Sequence, residues 1–172
     1  TAVRSAGRTP LYMAAAAGNT AVVQLLVNSG AQPGIKDSKG WVALHPASQL
    51  GHSEVVQCLL AADSTAAHVD AQGPEGTPLH MACLKGHSEV VELLIKAGAD
   101  LDARSAAQRT PLHQAVIGGH SAVLEQLVAA GADPEALTRT GASGLHLATM
   151  RGFTAMVQQL LAAMPAGPGS LA

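Results

Sequence analysis

Thr77-Pro78-Leu79-His80-Met81-Ala82-Cys83-Leu84-Lys85-Gly86, followed by His87-Ser88-Glu89-Val90-Val91-Glu92-Leu93-Leu94-Ile95-Lys96, is the stretch that decides the fold. Threonine is a good N-cap, proline at the first helical position loses no useful N–H, and glycine accepts the left-handed backbone that stops a helix. Thr77 to Gly86 therefore reads as a short helix with both ends marked. Ser88 restarts a second one, in which Val90, Val91, Leu93, Leu94 and Ile95 form a broad apolar stripe while Glu89, Glu92 and Lys96 turn to water. Gly98-Ala99-Asp100 ends it and opens a loop. Isolated helices below about 12–15 residues are marginal in water, so neither helix stands alone and stacking must supply the stability.

The pattern recurs. Leu11-Tyr12, Leu44-His45, Leu79-His80, Leu112-His113 and Leu145-His146 follow one another at 33, 35, 33 and 33 residues, and Gly18, Gly51, Gly86, Gly119 and Gly152 each lie seven residues after one of those leucines. Self-similarity at this period is the signature of stacked supersecondary units. The same plan is legible as Thr9-Pro10 through Val27, Thr110-Pro111 through Val128, and Ser143-Gly144 through Leu161. The second unit deviates. Val42-Ala43 replaces the Thr-Pro start and Pro46 falls where the first intrahelical hydrogen bond would form, so its helix start should be weak. Its tail, from Ala62 to Gly76, is two residues longer than in its neighbours.

Composition agrees with thin helices packed closely. Apolar residues make up 48% and charged residues 13%, yet one Trp, one Tyr and one Phe are all the aromatics, which leaves Ala, Leu and Val to build the interior. A net charge of −2 gives no basic surplus for counterion release, so no nucleic-acid partner is expected. Cys58 and Cys83 cannot form a disulfide framework and read as small buried hydrophobes of a reducing compartment. No apolar run approaches the roughly 18 residues that span a bilayer, and no basic-then-apolar leader opens the chain. The expectation is a soluble intracellular protein, cytoplasmic or nuclear, without a membrane partner, and the initial Thr in place of Met suggests a piece of something longer.

On these motifs, Thr77-Pro78-Leu79-His80-Met81-Ala82, Gly86-His87-Ser88-Glu89-Val90-Val91 and Gly98-Ala99-Asp100, echoed by Thr110-Pro111-Leu112-His113-Gln114-Ala115 and Gly131-Ala132-Asp133, the chain resembles an ankyrin-repeat protein. The resemblance implies an all-α solenoid of antiparallel helix pairs joined by protruding turns. Expected boundaries are a repeat domain over 1–164, with units of about 7–39, 40–75, 76–108, 109–141 and 142–164, and a flexible tail over 165–172. Departures are local: Tyr12 stands for the usual His, Gln108 and Glu75 occupy the usual turn Gly, and Gly144 replaces Pro. The second and fifth units should be the least stable.

Eight histidines invite a metal reading. A zinc site wants three or four ligands converging tetrahedrally, however, and a ladder with one histidine per layer keeps its members apart. The resemblance implies instead that His45, His80, His113 and His146 join a network with the preceding Thr, and that His52, His87 and His120 turn one helix into the next. No nucleophile elbow, His-Glu-x-x-His helix or paired carboxylates appear, and Gln72-Gly73-Pro74-Glu75-Gly76 lacks the strand that precedes a phosphate loop. No catalysis and no cofactor are expected.

What remains is surface. The resemblance places partners on a concave side formed by turn tips and first helices, which maps Arg8, Lys39, Trp41, Leu50, Leu84, Lys85, Arg109, Ile117, Met150 and Arg151 as candidate contacts. Leu84, Ile117 and Met150 hold one position in three consecutive units and either line a groove or tuck against neighbouring layers. Trp41 is either an anchor or packing over the weak start of its own unit. Basic residues cluster in this set, whereas Glu54, Glu89, Glu92 and Glu125 fall on second helices. An acidic and apolar segment, an extended peptide or a helix, would complement it. The expected function is a non-catalytic interaction module, monomeric unless its terminal repeats associate. Two alternatives stand beside it, a targeting arm of a larger enzyme or effector and a passive or self-associating spacer.

Overall fold

A computed structural model describes residues 7–62 and 68–164, so the expected flexible tail over 165–172 lies outside the described residues, as does part of the long tail of the second unit. Ten helices form among the described residues: α1 (Pro10–Ala16), α2 (Thr20–Asn28), α3 (Leu44–Leu50), α4 (Ser53–Ala62), α5 (Pro78–Lys85), α6 (Ser88–Lys96), α7 (Pro111–Gly118), α8 (Ser121–Ala129), α9 (Gly144–Met150) and α10 (Thr154–Ala163). Each odd-numbered helix packs on its even partner and on the next odd one, and α2, α4, α6, α8 and α10 stack likewise. The result is the all-α solenoid that the repeat pattern calls for.

Recurrence in sequence becomes recurrence in the core. Leu11, Leu44, Leu79 and Leu112 are buried in the odd layer, and Val23, Val56, Val91 and Leu124 in the even layer. Between them runs a column of alanines, Ala14, Ala47, Ala82, Ala115 and Ala148, whose small side chains let the helices approach closely.

Helix starts explain the histidines. In α5, the Thr77 N–H donates to His80 Nδ1 at 3.1 Å and the Thr77 hydroxyl lies 2.9 Å from the same atom. Thr110 with His113 and Ser143 with His146 repeat this box. Because Nδ1 accepts, Nε2 carries the proton and reaches into the next layer: His45 to the carbonyl of Gly76 at 3.2 Å, His80 to that of Arg109 at 2.8 Å, and His113 to that of Ala142 at 3.3 Å. Burial lowers the pKa of His80 and His113 and takes His45 down to about 4, so all three stay neutral at pH 7.

The second pair starts as its sequence predicts. In its neighbours the first helical bond runs from Met13 to Thr9, Met81 to Thr77, Gln114 to Thr110 and Leu147 to Ser143. Pro46 holds that place in α3 and has no N–H to give. The helix begins at Leu44, one residue late, with no side-chain cap. A short bond from the His45 N–H to the Val42 carbonyl, 3.1 Å, replaces the lost one.

His87 and His120 correct a detail. Rather than serving only the turn of their own pair, they reach backward: Nε2 of His87 meets the Gln49 carbonyl and Nε2 of His120 the Leu84 carbonyl, each at 3.1 Å. They close the end of the preceding odd helix, whose last carbonyls lack intrahelical partners.

Candidate partner-binding face

The turns between pairs are narrow hairpins. The Asp37 N–H bonds the Trp41 carbonyl, Ser105 bonds Arg109 and Thr138 bonds Ala142, at 2.8, 3.0 and 2.9 Å. The second hairpin along the chain is one residue tighter, with Gly73 and Gly76 exchanging both bonds. At the tips, Gly40 and Gly141 take positive φ, and in the hairpin of 105–109 the same place is held by Gln108 at φ 56°, the one non-glycine with positive φ among the described residues. These tips stand beside the starts of the odd helices, so hairpin and odd helix together form one face.

On that face the sequence-derived contacts divide. Leu84 and Ile117 are half-buried and line one cavity of about 330 Å³ with Arg109, Gln114, Glu75 and the hairpin residues Ala106 and Ala107. Arg109 also borders the neighbouring cavity of about 200 Å³, lined by Thr138, Arg139, Thr140 and Leu147. Met150 lines neither and is 82% exposed at the end of α9. Leu50 is 52% exposed, and Lys39 and Lys85 are exposed as well.

Three candidates already have partners within the chain. Trp41, half-buried, sets its ring edge-on to His45 with centroids 5.0 Å apart, and its backbone N–H donates to Asp37 Oδ1 at 2.9 Å. Arg8 lies 4.8 Å over the Tyr12 ring and 3.8 Å from Asp37 Oδ2. Arg151 donates from Nη1 to the Ile117 carbonyl at 2.9 Å while its side chain stays exposed.

Gln114 escaped the sequence reading. It is 6% exposed and lines the larger cavity, at a position where the other pairs carry Met13, Pro46, Met81 and Leu147. A lone polar residue in an apolar column was the signal that could have found it.

Charge is biased between the two sides, with Glu75 on the hairpin side and Lys96 on α6 as exceptions. Lys39, Lys85, Arg109 and Arg139 are exposed on the hairpin side, whereas Glu54, Glu89, Glu92 and Glu125 are exposed on the even helices. Aspartates of the loops after the even helices hold backbone: the Asp100 N–H donates to Asp70 Oδ1 and the Asp133 N–H to Asp102 Oδ1, both at 3.0 Å. No group of three or more His, Cys, Asp or Glu among the described residues is placed to hold a metal. Burial pushes the Cys83 and Cys58 thiols up, away from the reactive thiolate. Among the described residues no helix is long and apolar enough to cross a membrane.

A family model described as ankyrin repeats (3 copies) matches residues 2–72 and 64–138. The chain belongs to the ankyrin-repeat family. Members of this family are, as a class, modules that bind other proteins. Relatives share single stretches: a probable E3 ubiquitin-protein ligase XBOS32 of Oryza sativa subsp. japonica is 39% identical over 61 residues, 36% of this chain and 12% of that protein. Protein phosphatase 1 regulatory subunit 12A of Mus musculus is 43% identical over 54 residues, 31% of this chain and 5% of that protein. Transient receptor potential cation channel subfamily A member 1 of Homo sapiens is 44% identical over 54 residues, again 31% and 5%. The chain thus matches only a small part of each relative's length.

Proposed function

We propose that this array is a non-catalytic interaction module that holds a partner protein on the face of hairpin tips and odd helices, centred on Leu84, Ile117 and Arg109. The observation that supports this most is the cavity of about 330 Å³ that gathers Leu84, Ile117 and Arg109, with Arg109 shared by the cavity beside it. An apolar residue entering next to a carboxylate that meets Arg109 would satisfy both sides of it, so the partner is an acidic and apolar segment. Trp41, Leu50, Met150, Arg8, Lys39, Lys85 and Arg151 extend the proposed contact around that centre.

Affinity capture with the wild-type chain and the Leu84→Ala, Ile117→Ala variant side by side tests the reading. A verified partner should bind the variant at least roughly tenfold more weakly while helical content and melting stay nearly unchanged. Undiminished affinity for that partner sinks the assignment. A second reading makes the array the targeting arm of a larger enzyme or effector, and it is favoured by relatives named as a ligase and a phosphatase regulatory subunit in which the matched stretch is 12% and 5% of the protein. Activity that belongs to the full-length chain and is lost with the groove variant would establish it.

A further inference from the structure

The open side of the first helix pair is built like the side that later pairs bury. Val22 is 40% exposed, whereas the residues in its place in the four following pairs, Val55, Val90, Val123 and Met156, are 1, 1, 0 and 2% exposed. Met13 is 50% exposed, and its counterparts Met81 and Gln114 are 1 and 6% exposed. Ile35, in the loop after α2, is 48% exposed where Ala103 and Ala136 are 6 and 5% exposed. Leu25 is 66% exposed, while Cys58 and Leu93 at the same place are half-buried. In the later pairs the preceding pair supplies the cover, through the packing of α2 on α4, α4 on α6 and α6 on α8.

Identity strengthens the point. Met13, Val22 and Leu25 repeat Met81, Val90 and Leu93 of the third pair, which lies inside the stack. The other end differs: Thr149 is exposed where Cys83 and Val116 are buried, and His146 is exposed where His80 and His113 are buried. Terminal repeats need a polar outer face. At the last pair polar His146 and Thr149 stand where earlier pairs are buried, although Met150 and Leu161 are exposed there too, whereas Met13, Val22, Leu25 and Ile35 of the first pair are all apolar.

We propose that the face of Met13, Val22, Leu25 and Ile35 is an interior face of a longer stack, covered by a further helix pair of the same kind placed ahead of α1 in the same polypeptide. The proposal continues the established pair-to-pair interface and is independent of what binds the hairpin side.

The test compares the 172-residue chain with the full-length chain, by coding sequence and by hydrogen exchange. Ahead of Thr1 the coding sequence should carry one more period, with a Leu about 33 residues before Leu11 and a Gly seven residues after that Leu. Amides of α1 and α2 should exchange at least roughly tenfold more slowly in the full-length chain. Val22→Glu with Leu25→Glu should abolish that protection while leaving the helical content of the 172-residue chain unchanged. A non-periodic segment ahead of Thr1 or equal exchange in the two chains overturns the proposal. So does a concentration-dependent dimer of the 172-residue chain that the two Glu substitutions dissolve, because it would give the face to a second copy.

Discussion

Nη1 of Arg151 donates to the Ile117 carbonyl at 2.9 Å, taking the place that the imidazoles of His87 and His120 hold in the pairs before it. The fifth pair has Phe153 where those histidines stand, and a phenyl ring cannot serve a carbonyl. An arginine two residues earlier reaches the same acceptor from the side. Arg151→Ala should therefore destabilise the junction of α7 and α9 by about 1 kcal/mol, the usual worth of one hydrogen bond. Amide exchange in α9 and α10 reads this locally, and unchanged exchange would refute the role. Loss of partner binding in this variant has meaning only after that cost is known.

Acid should weaken the stack through its buried histidines. Their folded pKa values lie below the unfolded value near 6.5, so the unfolded chain binds protons first. Stability is complete above about pH 6.5 and falls as pH drops toward 4, where His45 itself titrates. His45 alone accounts for about 3 kcal/mol across that window. Urea midpoints at pH 7.5, 6 and 5 should decline in that order, and a flat profile contradicts the neutral ladder.

The second pair can be repaired. Val42 is fully buried and its N–H already bonds His45 Nδ1 at 3.1 Å, so a threonine there would bring its hydroxyl to the same atom, as Thr77 does for His80. Val42→Thr should raise stability by about 1 kcal/mol, the value of an N-cap. A lowered denaturation midpoint would mean that the hydroxyl stays unpartnered.

Gln108 holds a left-handed backbone, φ 56°, that its hairpin counterparts give to Gly40 and Gly141. Gln108→Gly should stabilise the chain by about 1 kcal/mol through relief of that strain, less the entropy glycine adds to the unfolded chain. A thermal melt checks this, and a lowered midpoint contradicts it.

How much of this was legible follows from what each residue depends on. The leucine and glycine beats are short-range signals, and they placed all five helix pairs. Pro46 and Gln108 also declared their local consequences, since a missing N–H and a missing glycine are visible in one dimension. The destinations of His87, His120 and Arg151 were not legible. Each bonds a carbonyl 34 to 38 residues away, and a backbone acceptor leaves no mark in a side-chain pattern. The geometry of the candidate face was hidden for the same reason: Leu84 and Ile117 line one cavity because their helices stack, whereas the Trp41 ring packs on His45 and Arg8 turns toward Tyr12 and Asp37.

Gly86 separates backbone strain from contact between layers. A Cβ there would clash with Nδ1 of His120, at φ +77°, whereas a Cβ on Gly98 at φ +83° meets nothing within 4 Å. Gly98→Ala should cost only the left-handed penalty, about 1 kcal/mol. Gly86→Ala must also push the His120 ring aside and break its bond to Leu84, for a total of about 2 to 3 kcal/mol. Adding His120→Ala removes the obstacle, so the double variant should lose less than the sum of the two single losses. Urea denaturation of the wild type and the four variants measures all of this. Equal losses for the two glycine substitutions would show that the imidazole does not lock one layer to the next.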